Sequence, residues 1–356
     1  MGQSQLLGGY SVGVGKPLGH RRSVGSAGQR LLQATRRRHG LETMKASETV
    51  VEVRVPTFNR PVLLRRALES LLAQAHSDWR AIVLDDGDVE PTRAVLDELR
   101  DSRFTHRPNE RRLGAARNIG QGFSSTPYAG GAHFGVLEDD NFWHSTFLTR
   151  NLRIMADHDV SIVQSNQWIE LPGLDEGPGE VLSATTLGEC HAEGKWRPEQ
   201  FKVPMLWRLP ISNSGLFWRI DSRSDLRADD VPDALLQEWV RAFRIVDDVY
   251  FVRDPLGGWR ANGPESQRSA LGPKNGRWAG FLRREKAVQA MRREVYALIG
   301  RGNEFSEILS ERFPAPLEIR EEGVRRALLR WPASSRLPWA RRVDLFAKAS
   351  LLRLSV

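Results

Sequence analysis

Three consecutive acids, Glu138, Asp139 and Asp140, follow directly on the apolar run Gly135-Val136-Leu137. Carboxylates at the end of a buried strand repel one another and lose hydration, so they need a cation beside them. A hard divalent ion such as Mg²⁺ or Mn²⁺ meets that need, because it takes oxygen ligands and commonly bridges carboxylates to substrate phosphates. The competing reading is an acidic turn capping the helix expected from about Ser145. The tripeptide alone does not separate the two readings.

The elements that must position these acids lie upstream. Residues 50–55 (Val-Val-Glu-Val-Arg-Val) read as a β-branched strand that breaks at Pro56-Thr57-Phe58-Asn59-Arg60-Pro61. Leu63, Leu64, Ala67, Leu68, Leu71 and Leu72 then share one helical face, with Pro61 in the first turn. A second strand at residues 81–84 ends in Asp85-Asp86-Gly87-Asp88, and Pro91 opens a second helix through about Leu99. A short strand at residues 104–107, a helix over 113–123 and the strand 135–137 complete an α/β unit with a mostly parallel sheet. In such sheets ligands bind beyond the carboxyl ends of the strands. Residues 57–59, 85–88 and 138–140 are expected to gather there.

Taken together, Val55 to Pro61, Ser70-Leu71-Leu72-Ala73-Gln74, Leu84-Asp85-Asp86-Gly87, Asn109 to Asn118 and Glu138-Asp139-Asp140-Asn141 resemble a family 2 glycosyltransferase in order and spacing. The resemblance covers residues 50–253. It implies a GT-A type, Rossmann-like, mostly parallel sheet flanked by helices, here with a C-terminal helical appendage. It also implies that Pro56, Thr57, Phe58 and Asn59 form the donor-nucleotide loop, with Phe58 stacked on the base, and that Asp86 binds a uracil-type ring. Asp140 becomes the direct metal ligand, Asp139 a ribose or second ligand, and Glu138 a third candidate that departs from the usual pattern. The implied cofactor is Mn²⁺ or Mg²⁺, which would neutralise the departing diphosphate. Arg111, Arg112 and Arg117 precede the metal strand, and Arg117 is the one assigned to the diphosphate.

The resemblance further places a catalytic acid six residues before an arginine. In Arg244-Ile245-Val246-Asp247-Asp248-Val249-Tyr250-Phe251-Val252-Arg253 that spacing selects Asp247 as the base, with Asp248 as rival. The plainer reading is an N-cap pair ahead of an apolar helix. One base without a second nucleophile implies inversion at the sugar. Ser214, Gly215 and Trp218, within Leu209 to Arg219, match the acceptor side. Residues 171–197 read as a loop able to close over the donor.

Composition bounds the rest. With 356 residues and 40% hydrophobic content there is room for one large catalytic domain, and no apolar run is long enough to cross a bilayer. A single cysteine, Cys190, rules out an internal disulfide, fits a reducing, cytoplasmic setting and makes a zinc site improbable. The net charge of +8 is concentrated at the ends: residues 1–43 hold seven basic side chains against one acid, and residues 316–356 nine against four. The middle is therefore net acidic, which excludes a nucleic-acid-binding core. Residues 1–43 are expected as a disordered basic extension, with Met44 a candidate start. Residues 44–290 are the expected catalytic domain (44–145 the nucleotide half, 146–290 the acceptor half), and 291–356 a C-terminal helical basic segment. That last segment is either an amphipathic helix peripheral to a membrane or one packed back on the domain.

The expected function is transfer of a sugar from a nucleotide diphosphate donor, UDP-linked, to a hydroxyl-bearing glycan or lipid-linked acceptor. A non-catalytic nucleotide-sugar scaffold and a nucleotidyltransferase are the alternatives. A dinucleotide-binding oxidoreductase is disfavoured, because no G-x-G-x-x-G follows the first strand.

Overall fold

The computed structural model describes residues 50–171, 173, 179–183, 185–261, 278–299 and 312–327, all within the Thr49–Val356 unit of a chain that divides in two. The basic extension at 1–43 and the amphipathic stretch at 345–353 lie outside the described residues. In chain order the elements are β1 (Val51–Thr57), α1 (Pro61–Leu72), β2 (Trp79–Asp85), α2 (Val89–Leu99), β3 (Phe104–Pro108), α3 (Ala115–Gly122), β4 (His133–Val136) and β5 (Phe142–Trp143). There follow α4 (Phe147–His158), β6 (Ile162–Glu170), β7 (Val181–Ser183), β8 (Gly194–Trp196), α5 (Pro198–Lys202), β9 (Leu216–Arg219), α6 (Ala234–Arg244), β10 (Val249–Arg260), α7 (Trp278–Ile299) and α8 (Leu317–Ala327).

The main sheet order is β3-β2-β1-β4-β9-β6-β10-β5. β1 runs parallel to both β2 and β4, β2 to β3, and β10 to β6, while β9 lies antiparallel between β4 and β6. The carboxyl ends of β1, β2, β3, β4, β6 and β10 therefore share one edge, and β9 begins there. All seven residues of β1 are buried, as a parallel strand covered on both faces requires. Two of them are charged and answer each other: Arg54 Nε lies 2.9 Å from Glu52 Oε1. Arg54 also donates to the carbonyls of Gly122, Ser124 and Thr126, and Glu52 accepts the Tyr128 and Ala129 amides. The pair pins the chain that returns from α3 to β4.

α1 buries Leu63, Leu64, Ala67, Leu68 and Leu71, the face its spacing predicts, against one side of the sheet. The other side holds a second core with Phe123, Trp196, Phe201, Leu206 and Trp218, to which α7 adds Val288, Met291, Val295 and Ile299. α7 runs through the boundary expected at 290/291, and Arg292 Nε donates to Met205 O at 3.1 Å, so this C-terminal helix packs back on the domain.

Two local expectations change. The helix expected over 113–123 begins only at Ala115, because Gly114 takes φ of +83° and its amide is held from outside the helix. The segment after Asp248 is the strand β10 and not a helix. A four-residue apolar run carries no usable period, and Val249, Phe251 and Val252 are β-branched or aromatic residues buried between β6 and β8.

Candidate active site

The carboxyl edge brings together Thr57, Asp86, Asp139 and Asp140 as the strand order requires. The Thr57 hydroxyl donates to Asp139 Oδ2 at 2.9 Å, and Arg60 Nη1 reaches Asp139 Oδ1 at 3.3 Å and Asp140 Oδ2 at 3.1 Å. Burial, then the charge of Asp140, push the Asp139 carboxyl up to about 7 against the opposing pull of Arg60, Thr57 and the Phe58 amide. Burial would lower Arg60, but the two carboxylates hold it above its ordinary value. The acid pair is thus short of positive charge even with an arginine on it. That donor set fits a hard divalent ion completed by substrate oxygens and water.

Glu138 is not the third member of this set. Its carboxylate turns the other way, accepting from Asn141 Nδ2 at 3.3 Å, Ser214 Oγ at 3.3 Å and Asn213 Nδ2 at 3.4 Å. Among the described residues no group of three or more His, Cys, Asp or Glu side chains forms a metal cluster, which leaves Asp139 and Asp140 as the candidate ligands at this edge.

The nucleotide-side residues fall into two interlocked loops. Asn59, at φ of +50°, accepts the Asp88 amide at 2.7 Å, and a Cβ on Gly87 would collide with the Asn59 side chain. Asp86 accepts Asn109 Nδ2 at 2.9 Å, Leu113 N at 2.6 Å and Gly114 N at 2.8 Å, so it shapes the loop entering α3. Asn118 Nδ2 donates to the carbonyls of Leu84 and Thr57, locking α3 to the ends of β2 and β1. The Arg112 guanidinium lies 4.2 Å over the half-buried Phe58 ring, a contact the sequence reading assigned to neither residue. Arg117 is exposed on α3 and makes no ion pair among the described residues, and Pro56 is buried inside β1.

On the acceptor side, Ser214 and Gly215 form a buried turn, Asn213–Gly215, ahead of β9. Ser214 accepts the Glu138 amide at 3.0 Å, and Gly215 leaves no room for a Cβ against Ser165 O, so both position the acid loop from beneath. Trp218 is a core residue, stacked on Phe123 at 5.3 Å and 17°, because it alternates to the apolar face of β9.

Asp247 and Asp248 stand at the opposite edge, immediately before the amino end of β10. Asp247 accepts from the hydroxyls of Ser222 (2.8 Å) and Ser224 (2.9 Å), from the amides of Arg223 and Ser224, and from Arg223 Nε at 2.9 Å. Burial would raise it, but these hydrogen bonds hold it below the usual carboxylate range. Asp248 pairs with Lys195 at 3.2 Å. Neither carboxylate faces the acid pair.

The acid that does approach the carboxyl edge is Glu238, buried on α6, whose Oε1 accepts Asn213 Nδ2 at 3.2 Å. Glu238 stands six residues before Arg244, the spacing of Asp247 and Arg253, but Asp97, Asp101, Asp221 and Asp254 share it, so spacing alone does not single it out. A search for aspartate alone passes over it.

Known proteins agree with this architecture. Residues 52–182 match the model of Glycosyl transferase family 2. The UDP-Glc:alpha-D-GlcNAc-diphosphoundecaprenol beta-1,3-glucosyltransferases WfgD and WfaP of Escherichia coli are 27% and 24% identical over 117 and 146 residues, covering 33% and 40% of this chain and 45% and 57% of theirs. This chain thus spans about half the length of those relatives. The validoxylamine A glucosyltransferase of Streptomyces hygroscopicus is 33% identical over 27% of this chain and 22% of its own length. In fold, S. aureus TarS 1-349 in complex with UDP-GlcNAc superposes with a TM-score of 0.51 at 12% identity, over 84% of this chain and 79% of that one. The acid pair at the carboxyl edge of this GT-A sheet thus lies within the segment, residues 52–182, that matches glycosyl transferase family 2.

Proposed function

We propose that this chain is an inverting, divalent-metal-dependent glycosyltransferase that moves a sugar from a nucleotide diphosphate donor to a hydroxyl acceptor. The observation that carries this reading is that buried Asp139, half-buried Asp140 and Glu238 all lie at one sheet edge. Asp139 and Asp140 would hold Mn²⁺ or Mg²⁺, which supplies charge neutralisation for the departing diphosphate. Phe58, braced by Arg112, offers a flat face to the base, and the Asn59 and Asp86 loops frame it. Glu238 takes the proton of the acceptor hydroxyl as that oxygen attacks the anomeric carbon from the face opposite the diphosphate. A single displacement of this kind inverts configuration at the sugar.

The names of the two Escherichia coli relatives support UDP-glucose as the first donor to try and a lipid-diphosphate-linked sugar as the acceptor class. Among the described residues no helix is long and apolar enough to cross a membrane. A lipid-linked acceptor would then be met at a membrane surface, where the basic residues of 316–356 suit anionic headgroups.

The test is UDP release from UDP-glucose with and without Mn²⁺, using the wild type, Asp140→Ala and Glu238→Gln. Metal-dependent release lost in both variants supports the reading. Release that ignores both substitutions overturns it.

A further inference from the structure

Arg241 lies deep beside the site, and among the described residues its guanidinium donates to no carboxylate. It lies fully buried on α6, 3.8 Å over the Phe123 ring. Nε donates to Leu226 O at 3.0 Å, Nη2 to Gln237 Oε1 at 2.8 Å and Nη1 to Asn213 Oδ1 at 3.1 Å. A guanidinium can only donate, so this last bond fixes which way the Asn213 amide points. The Asn213 NH₂ is thereby aimed away from Arg241, at Glu238 Oε1 (3.2 Å) and Glu138 Oε1 (3.4 Å). One nitrogen holds the acid of α6 and the acid at the end of β4 together.

We propose that Arg241 and Asn213 are positioning residues for Glu238: Arg241 sets the orientation of the Asn213 amide, and that amide aims the Glu238 carboxylate at the acceptor hydroxyl. This rests on the reading of Glu238 as the base. Burying an arginine without a direct carboxylate partner is costly, and a hydrophobic residue of similar size would serve packing as well. Burial pulls Arg241 down to about 10, opposed by the charges of Glu238, Glu138 and Asp229, which marks it as the cation those acids share. On α7, Arg284 pairs with Asp233 and Arg292 donates to Met205 O. A donor displaced by 1 Å from its productive place loses about 100-fold in rate, so an orienting relay has the leverage this cost requires.

A double-mutant cycle on UDP release from UDP-glucose separates positioning from plain packing, with UDP affinity measured by titration in parallel. Arg241→Gln is expected to lower turnover about 10- to 100-fold while UDP affinity stays within about threefold, and Arg241→Lys to recover part of the loss. In the Glu238→Gln background the Arg241 substitution is expected to change residual turnover by less than about twofold, because an orienting residue has nothing left to orient. Asn213→Ser, which leaves the Arg241 bonds to Leu226 and Gln237 in place, goes through the same cycle and decides the matter if Arg241→Gln does not fold. Multiplicative losses in the double variants overturn this inference alone. Wild-type turnover in Glu238→Gln overturns the assignment of the base, and the relay with it.

Discussion

The Thr57 hydroxyl donates to Asp139 Oδ2 across 2.9 Å, joining the end of β1 to the end of β4. The contact exists because the two strands pair in parallel, with the Leu137 amide on Arg54 O bringing the acid loop level with Thr57. Among the described residues it is the one hydroxyl on a carboxylate already pushed up to about 7 by burial and by Asp140. Thr57→Val keeps the shape and removes the donor. Mn²⁺ affinity is expected to fall about 10-fold, the usual cost of losing a partner that orients a ligand. Titration with UDP present measures it.

Metal binding should itself depend on pH in a definite direction. Asp139 must lose its proton to bind a cation, and in the folded protein that proton leaves at about pH 7. Mn²⁺ affinity is therefore expected to be full near pH 8 and to fall roughly 10-fold per unit below 7. Titrations at pH 6, 7 and 8 check the slope.

Glu238 and Asp247 should fail differently. Glu238→Gln is expected to lower turnover by about 100- to 10,000-fold in the folded protein, as removal of a general base does. Asp247→Ala instead leaves Ser222, Arg223 and Ser224 without their acceptor, at an expected cost of about 2–4 kcal/mol in stability. Its folded fraction should keep near-normal turnover. Paired denaturant curves and UDP-release rates distinguish the two.

Gly87→Ala tests the interlock of the nucleotide-side loops. The added Cβ meets Asn59, whose side chain is held by the Asp88 amide, so one loop must move. Expected are a loss of about 1–3 kcal/mol from overpacking and weaker UDP binding, with the sheet intact by circular dichroism.

His191 supplies an acid-side limit to stability. It is buried, stacked on Phe201 at 4.7 Å, and burial pulls its pKa down to about 3. The unfolded chain takes a proton at about 6.5 that the folded protein refuses until near 3, so stability is full above pH 6.5 and is lost as pH falls below it. Asp139 works in the opposite sense, so the informative quantity is the difference between wild type and His191→Phe. That difference should shift in favour of the variant by about 1.4 kcal/mol per pH unit between 6 and 4, read by urea unfolding.

Much of the left half of the sheet was legible because its signals are local. The spacing of Leu63 to Leu71 gave α1, the alternation of strand and helix gave the parallel order, and parallel order alone sends Thr57, Asp86 and Asp139 to one edge. The acids of the 138–140 run were equally visible, but their division was not. Asp139 and Asp140 face Arg60 while Glu138 faces Asn213 and Ser214, and only the turn ahead of β9 decides that.

The base shows the same limit more sharply. Several acids, Asp97, Asp101, Asp221, Glu238, Asp247 and Asp254 among them, stand six residues before an arginine, and spacing along a chain cannot tell a helix from a strand over an apolar run of four residues. Val249 to Val252 pair with β6 and β8 and so carry Asp247 to the amino edge, whereas α6 presents Glu238 to Asn213 at the carboxyl edge. Sequence by itself carried the family resemblance, the alternation of strands and helices in the nucleotide half and the acid run 138–140, because each is written in contiguous residues. Which distant acid reaches the carboxyl edge is decided by tertiary structure alone, because strand direction and helix packing, not chain spacing, fix the edge at which a carboxylate arrives.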